Sequence, residues 1–390
     1  MNGKVAIFDP FSGGHHSEYL YYVIENWLSE YPGFHLDVVT TQVNLNQHPD
    51  LYEWQRIKIE GINFYVIPEL SKESLIRKSF EQAKTLTQYI NDNNPSHVLC
   101  MAFDWLQIPM TTRLRFGYTL KISGIYFRPT WHYIKWQKLN LKDYIRSIRQ
   151  YIILQLALTN PHIDSLLCLD PFCANILATK KKNCKIIYLP DPVEKNETDT
   201  SFKLHSKFDV QDGRMIFLHM GYLDARKGVV EFINAINLLP VDVLKKSFFL
   251  FAGKLSEDIV QNVNNMINAL PQEAAVHITN SFIPYHTFQA YIEQSDVVVL
   301  TYQNHIGSSG LLLRAALAKK RVICQDFGLM GYLVKKHNLG EVVNSFVPAE
   351  IAKGIIKTIY TEKSKDYNAD FVQEHTVQAF QKTIKDTLLG

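Results

Sequence analysis

Cysteine is scarce in this chain. The five present, Cys100, Cys168, Cys173, Cys184 and Cys324, form no CxxC pair and no regular spacing. A disulfide framework is therefore not expected, nor a His/Cys zinc site, and the set reads as reduced thiols of a cytoplasmic protein. Long apolar runs are also missing. YIILQLAL and FFLFAG fall far below the ~20 residues that a spanning helix requires. The opening MNGKVAIFDP passes straight into a strand pattern without signal-peptide architecture, which points to a cytoplasmic protein, soluble or peripheral at the inner membrane face. No GxGxxG follows a strand, and no GxxxxGK[ST] occurs, so nicotinamide and P-loop chemistry lack their phosphate-binding loops. No Asp-x-Asp occurs to chelate a metal–diphosphate. Neither a metal site nor a cofactor is expected.

What is present is ordinary globular material: 46% of the 390 residues are hydrophobic and 20% charged, enough for two sizeable cores. The net charge of +3 says little, but its distribution is uneven. Met1 to Asp104 carries 7 Lys/Arg against 13 Asp/Glu, whereas Trp105 to Lys195 carries 14 against 5. Any anionic partner should meet that second quarter.

Short β-rich runs alternate with helical patterns, as in βα units with parallel sheets. VAIF, LDVVT, INFYVI, HVLCMAF, ISGIYF and SLLCL read as strands of a first half. Leu20, Val23, Ile24, Trp27 and Leu28 share one face at 3.6-residue spacing, and further helices are expected over about 72–91 and 141–158. A polar, proline-bearing stretch after Pro190 reads as a linker. Beyond it MIFLHMG, FFLFAG, VHIT, DVVVLTY and RVICQD alternate with helices. The pattern predicts an α/β protein of two doubly wound, Rossmann-like parallel-sheet domains, 1–195 and 196–370, with a final helix over 371–390. Ligands of such sheets sit at the carboxyl ends of the strands, here expected to face a central cleft.

Three stretches of the second half could hold a diphosphate. In HMGYLDARKG a strand opens at Gly221 and Tyr222 into a turn carrying Arg226 and Lys227. In HIGSSGLLLRAALAKK a helix opens at Gly310, so amides of Ser308, Ser309, Gly310 and Leu311 would attract an anion. NSFIPYHTF places Ile283 in a loop between strand and helix. Taken singly, each is unremarkable loop chemistry; their joint order is the signal.

That order resembles the C-terminal domain of GT-B nucleotide-sugar glycosyltransferases, in particular the retaining family 4. Gly221 to Gly228 is similar to the family's G-R-L-x-x-x-K-G, SFIPYHTFQAYIEQSDVVVLTY to its base-binding loop and following strand, and GSSGLLLRAALAKKRVI to its E-G-F-G-L segment. The resemblance implies a GT-B fold and transfer from a UDP- or GDP-linked sugar to a glycan, lipid or small-molecule hydroxyl. It further implies retention without metal, with Lys227 and Arg226 neutralising the departing diphosphate and Ile283 at the base. The last helix of that fold crosses back to the N-terminal domain. Two departures stand out. The family's two acids of Glu-x7-Glu fall on Gly307 and Ala315, and the arginine of G-R-L is Tyr222. A catalytically inactive partner of another transferase is the alternative reading of these losses; a same-fold epimerase or phosphorylase is a weaker third.

In the first half, Gly13-Gly14-His15-His16 opens the first helix, where glycine lets a ligand approach the backbone and the helix end attracts phosphate. Gly13 and Gly14 are candidate donor contacts. His16, with His15, could touch sugar hydroxyls or act as a base if the reaction inverts; alternatively both only cap a turn. Asp104, Arg128 and His132 follow strand ends; Asp104 and Arg128 are expected on the acceptor side, and His132, facing the acceptor, is a candidate catalytic group. From Arg113 to Arg149 nine Lys/Arg meet one acid, with aromatics interleaved. That composition suits an anionic membrane surface or a merely solvated face, and no nucleic-acid motif accompanies it.

Overall fold

The computed structural model describes residues 4–12, 16–30, 35–70, 74–112, 116, 119–136, 141–179, 184–194, 198–362 and 369–390. The chain divides into two compact units, Met1–Pro190 with Val377–Gly390, and Asp191–Thr376.

The first unit is built on β1 (Val5–Asp9), β2 (Leu36–Thr41), β3 (Ile62–Ile67), β4 (His97–Cys100), β5 (Lys121–Tyr126), β6 (Ile163–Cys168) and β7 (Lys185–Tyr188). They form one sheet in the order β3-β2-β1-β4-β5-β6-β7 with every pairing parallel. Side chains alternate across a strand, so each strand supplies two cores. Ile7, Val38, Leu99, Ile125 and Leu167 pack under the helix His16–Glu30. Phe8, Val39, Val98, Ile122 and Leu166 pack under the helices Leu75–Asn93 and Leu141–Ala157. Burial on both faces explains why these runs read as continuously apolar. Asp170 starts the helix Pro171–Ala178 by accepting the amides of Phe172 (2.8 Å) and Cys173 (3.0 Å) ahead of a proline at the first position.

The second unit repeats the plan with β8 (Met215–Met220), β9 (Ser247–Ala252), β10 (Ala275–Thr279), β11 (Val297–Leu300), β12 (Arg321–Gln325) and β13 (Gly340–Val343) in the order β10-β9-β8-β11-β12-β13, again parallel. β13 goes beyond the strands read from the sequence: GEVV is four residues and starts on a glycine, too little pattern to register alone. The two parallel sheets bear out the Rossmann-like expectation.

The segment from residue 371 is two pieces. Ala369–Glu374 is a short helix of the second unit, where Phe371 lies against His337 and His375. The helix Val377–Leu389 belongs to the first unit. There Val377, Phe380, Ile384 and Leu388 join the core with Tyr19 and Leu20, and Gln381 Nε2 donates to the Tyr22 carbonyl at 2.9 Å. Among the described residues no helix is long and apolar enough to cross a membrane.

Candidate active site

In the second sheet β8 sits between β9 and β11. The chain order reverses there, and the carboxyl ends of β8 and β11 form the switch point at which open parallel sheets bind ligands. The loop after β8 is tightly specified. Asp224 caps the turn Ala225–Lys227 by accepting the Lys227 amide at 3.1 Å. Gly228 follows at φ 72°, and a Cβ built there would lie 2.0 Å from the Thr301 carbonyl oxygen, so only glycine lets this loop close on β11. Gln303 N–H donates to the Arg226 carbonyl at 2.8 Å and ties the loop from the other side.

His219 anchors the same turn from below. Its ring is fully buried between Phe232 and Phe251, and its Nε2–H donates to the Lys227 carbonyl at 3.0 Å. Burial, reinforced by the Lys227 charge, pushes the imidazole down to about 3, so it stays neutral. His219 lies in a strand run that reads simply as core.

The result is a fixed cation. The Lys227 ammonium donates to the Tyr302 hydroxyl at 2.5 Å and stands 4.1 Å from that ring's centroid. Ser309 Oγ–H donates to the same hydroxyl at 3.3 Å. Ser309 precedes the helix Gly310–Leu317 with φ 68° and no side-chain cap, a backbone region non-glycine residues rarely occupy. The first amides of that helix, from Gly310 and Leu311, therefore have no cap and favour negative charge ahead of them. Ser308 turns inward: its hydroxyl donates to the buried Asp191 carboxylate at 2.6 Å.

Lys227, Ser309 and Gly310 are thus brought together, joined by Tyr302, which the sequence pattern does not mark. Gly221 adjoins them, since a Cβ there would lie 3.4 Å from Lys227 Nζ. Arg226 is exposed, its Nε 3.7 Å from Asp224. Tyr222 is also exposed. Ile283 is buried in the loop after the edge strand β10, beside an exposed Phe282. At the first lost glutamate position, Gly307, the atom nearest to a built Cβ is His305 Nε2 at 3.4 Å. Ala315 is buried in the helix.

The first sheet has its own switch point between β1 and β4. His16 opens its helix with Nδ1 2.8 Å from the buried Asp9 carboxylate at the end of β1. Asn44 Nδ2 donates to the other Asp9 oxygen at 3.3 Å. With Nδ1–H donating, Nε2 of a neutral ring is an acceptor. Phe11 and Phe127 flank the imidazole. Asp104, past β4, accepts the amides of Phe127 (2.8 Å) and Arg128 (2.9 Å), and burial pushes its carboxyl up to about 6 against those two bonds. Asp104 thereby holds the exposed Arg128 in place. His132 lies further along, its ring 6.3 Å from that of Phe172. Gly13, Gly14 and His15 lie outside the described residues. Asp9 is visible only once the fold brings it to His16, although an acid closing the first strand is a readable signal.

The whole chain superposes on solved GT-B enzymes. HepE of Anabaena in complex with UDP matches with a TM-score of 0.67 at 15% identity, covering 99% of each chain. Sucrose-phosphate synthase from Thermosynechococcus elongatus matches at 0.69 and 14%, covering 99% of this chain and 98% of that one. WaaG, a glycosyltransferase involved in lipopolysaccharide biosynthesis, matches at 0.66 and 13%, covering 99% and 100%. No curated protein matches by sequence. The family model described as Glycosyl transferases group 1 matches residues 201–374. The chain has the GT-B fold, and its second unit carries the match to the group 1 glycosyltransferases. The matched residues contain every element of the Lys227 cluster, so the fixed cation and the helix N-terminus lie within the segment that matches the family.

Proposed function

We propose that the chain moves a sugar from a UDP- or GDP-linked donor to an acceptor hydroxyl on a glycan, lipid or small molecule, with retention and without a metal. The observation that carries this reading is the Lys227 ammonium, braced by Tyr302 beside the uncapped start of the helix Gly310–Leu317 at the second sheet's switch point. Negative charge grows on the departing diphosphate, and a cation and amides already held in place stabilise it without reorganising. Arg226, exposed beside them, supplies a second positive charge. The UDP and UDP-glucose complexes of HepE support a uridine donor.

On the acceptor side His16, Arg128 and Asp104 stand on one sheet end, and Nε2 of His16 is the acceptor best placed to take a hydroxyl hydrogen bond. His305 occupies the space where the family's first glutamate would begin, and we assign it to the donor sugar.

Thermal-shift and hydrolysis screening against UDP-, GDP- and ADP-sugars tests the reading. One nucleotide class should stabilise the protein, and its sugar should be released with the anomeric configuration kept, read by NMR. Stabilisation by no nucleotide would overturn the proposal and favour the inactive-partner reading, for which Gly307 and Ala315 speak.

A further inference from the structure

The helix Leu141–Ala157 is apolar on two opposite sides, and only one is covered. Ser147, Leu154 and Ala157 face the first unit's own core. On the opposite side Leu141 is 73% exposed, and Ile145, Ile148, Ile152 and Leu156 are each at least 40% exposed. At 100° per residue these five fall within about 80° of arc, a stripe roughly 22 Å long. Lys142, Arg149 and Arg146 follow along one edge of the stripe and Tyr144 along the other, all exposed. The helix Leu75–Asn93 shares the same core through Ala83, Leu86 and Tyr89, and both helices pack on Gln107–Thr111. Its first turns expose Leu75, Ile76 and Phe80, so this one layer of the unit carries two uncovered apolar clusters.

We propose that this face docks on an anionic bilayer, the Leu141–Leu156 stripe entering the acyl boundary and Lys142, Arg146 and Arg149 lying among the headgroups. Charge selects this occupant. Lys142, Arg146 and Arg149 outnumber the one acid of this helix, Asp143, so a second copy would set like charges face to face. A bilayer with anionic lipid supplies negative charge and an apolar bed together.

Co-sedimentation of the full chain with phosphatidylcholine vesicles, with and without phosphatidylglycerol, is the test, and it needs no sugar transfer. Wild type should bind only the mixed vesicles, and binding should fall as salt screens the charges. Ile148→Ser with Ile152→Ser should weaken binding by about 10-fold or more, and Lys142→Glu with Arg149→Glu should do the same, on the order of five-fold for each charge removed. Melting should be unchanged in both, because the altered side chains touch water; Leu141→Ser with Ile145→Ser is the substitute if the first pair misfolds. The proposal falls if wild type ignores anionic vesicles at low salt. It also falls if the serine variants bind equally well, or if sedimentation velocity shows a dimer that these variants disperse while vesicles are ignored.

Discussion

Replacing Lys227 by alanine should separate catalysis from folding. In the folded protein the ammonium makes one hydrogen bond to Tyr302 (2.5 Å) and one cation–π contact (4.1 Å). Such contacts are worth about 1 kcal/mol and about 0.5–1 kcal/mol. Stability should therefore drop by no more than about 2 kcal/mol, a fall of roughly 4–8 °C in Tm for a unit of this size. During transfer the same charge would stand near a leaving group that gains negative charge. At about 4 Å and an effective dielectric of about 20, a unit charge pair is worth ~4 kcal/mol, a factor of ~10³ in rate. Loss of one fixed donor elsewhere costs about 10²–10³ in turnover. Turnover of Lys227→Ala should thus fall about 10²- to 10³-fold while the protein stays folded, and Lys227→Arg should recover part of it. Steady-state nucleotide release measures the rate, calorimetric titration with the nucleotide measures affinity, and a melting curve controls for structure. Wild-type rate with wild-type affinity would refute the placement of the diphosphate. Melting lowered by far more than this range would instead make Lys227 a structural residue.

Four further expectations follow from other parts of the structure. Activity should persist in excess EDTA; loss restored by Mn²⁺ or Mg²⁺ would count against fixed cations as the only charge stabilisers. Asp9→Asn should lower turnover about 10- to 100-fold through misplacement of His16, His16→Ala should do at least as much, and the double variant should be no worse than His16→Ala, since the two act through one contact; additive losses would separate them. His219 and the buried His97 are held down to about 3 and about 4, in both cases chiefly by burial. Between those values and about 6.5 the unfolded chain binds protons that the folded chain does not, so stability is complete above pH 6.5 and is lost as pH falls, by about 1.4 kcal/mol per unit for each histidine; urea titrations at pH 7.5 and pH 5 should show the loss, and His219→Phe should reduce it. Phe380→Ala should destabilise the first unit by about 3–5 kcal/mol, because that ring is fully buried against Tyr19; an unchanged unfolding curve would place the last helix outside the core.

The fold class was legible in the chain because parallel strands buried on both faces must be apolar throughout. VAIF and FFLFAG announce themselves by composition alone. Lys227 and the Ser308–Gly310 turn were legible for a different reason. A loop that must carry a cation, close on glycine and open a helix leaves several constraints within a few adjacent positions. What escaped the sequence was whatever depends on partners far apart in the chain. Tyr302 lies 75 positions from Lys227, and Asn44 lies 35 from Asp9; no local spacing connects them, and only the return of neighbouring strands to one sheet end does. His219 escaped because a buried histidine inside an apolar strand has no pattern of its own. The helix Leu141–Ala157 shows the division most plainly. Its sequence establishes that leucines, isoleucines and basic residues recur on helical faces, since periodicity is local. Which apolar side packs inward was decided by the sheet, which covers Leu154 and Ala157 and leaves Leu141, Ile145 and Ile148 to the solvent.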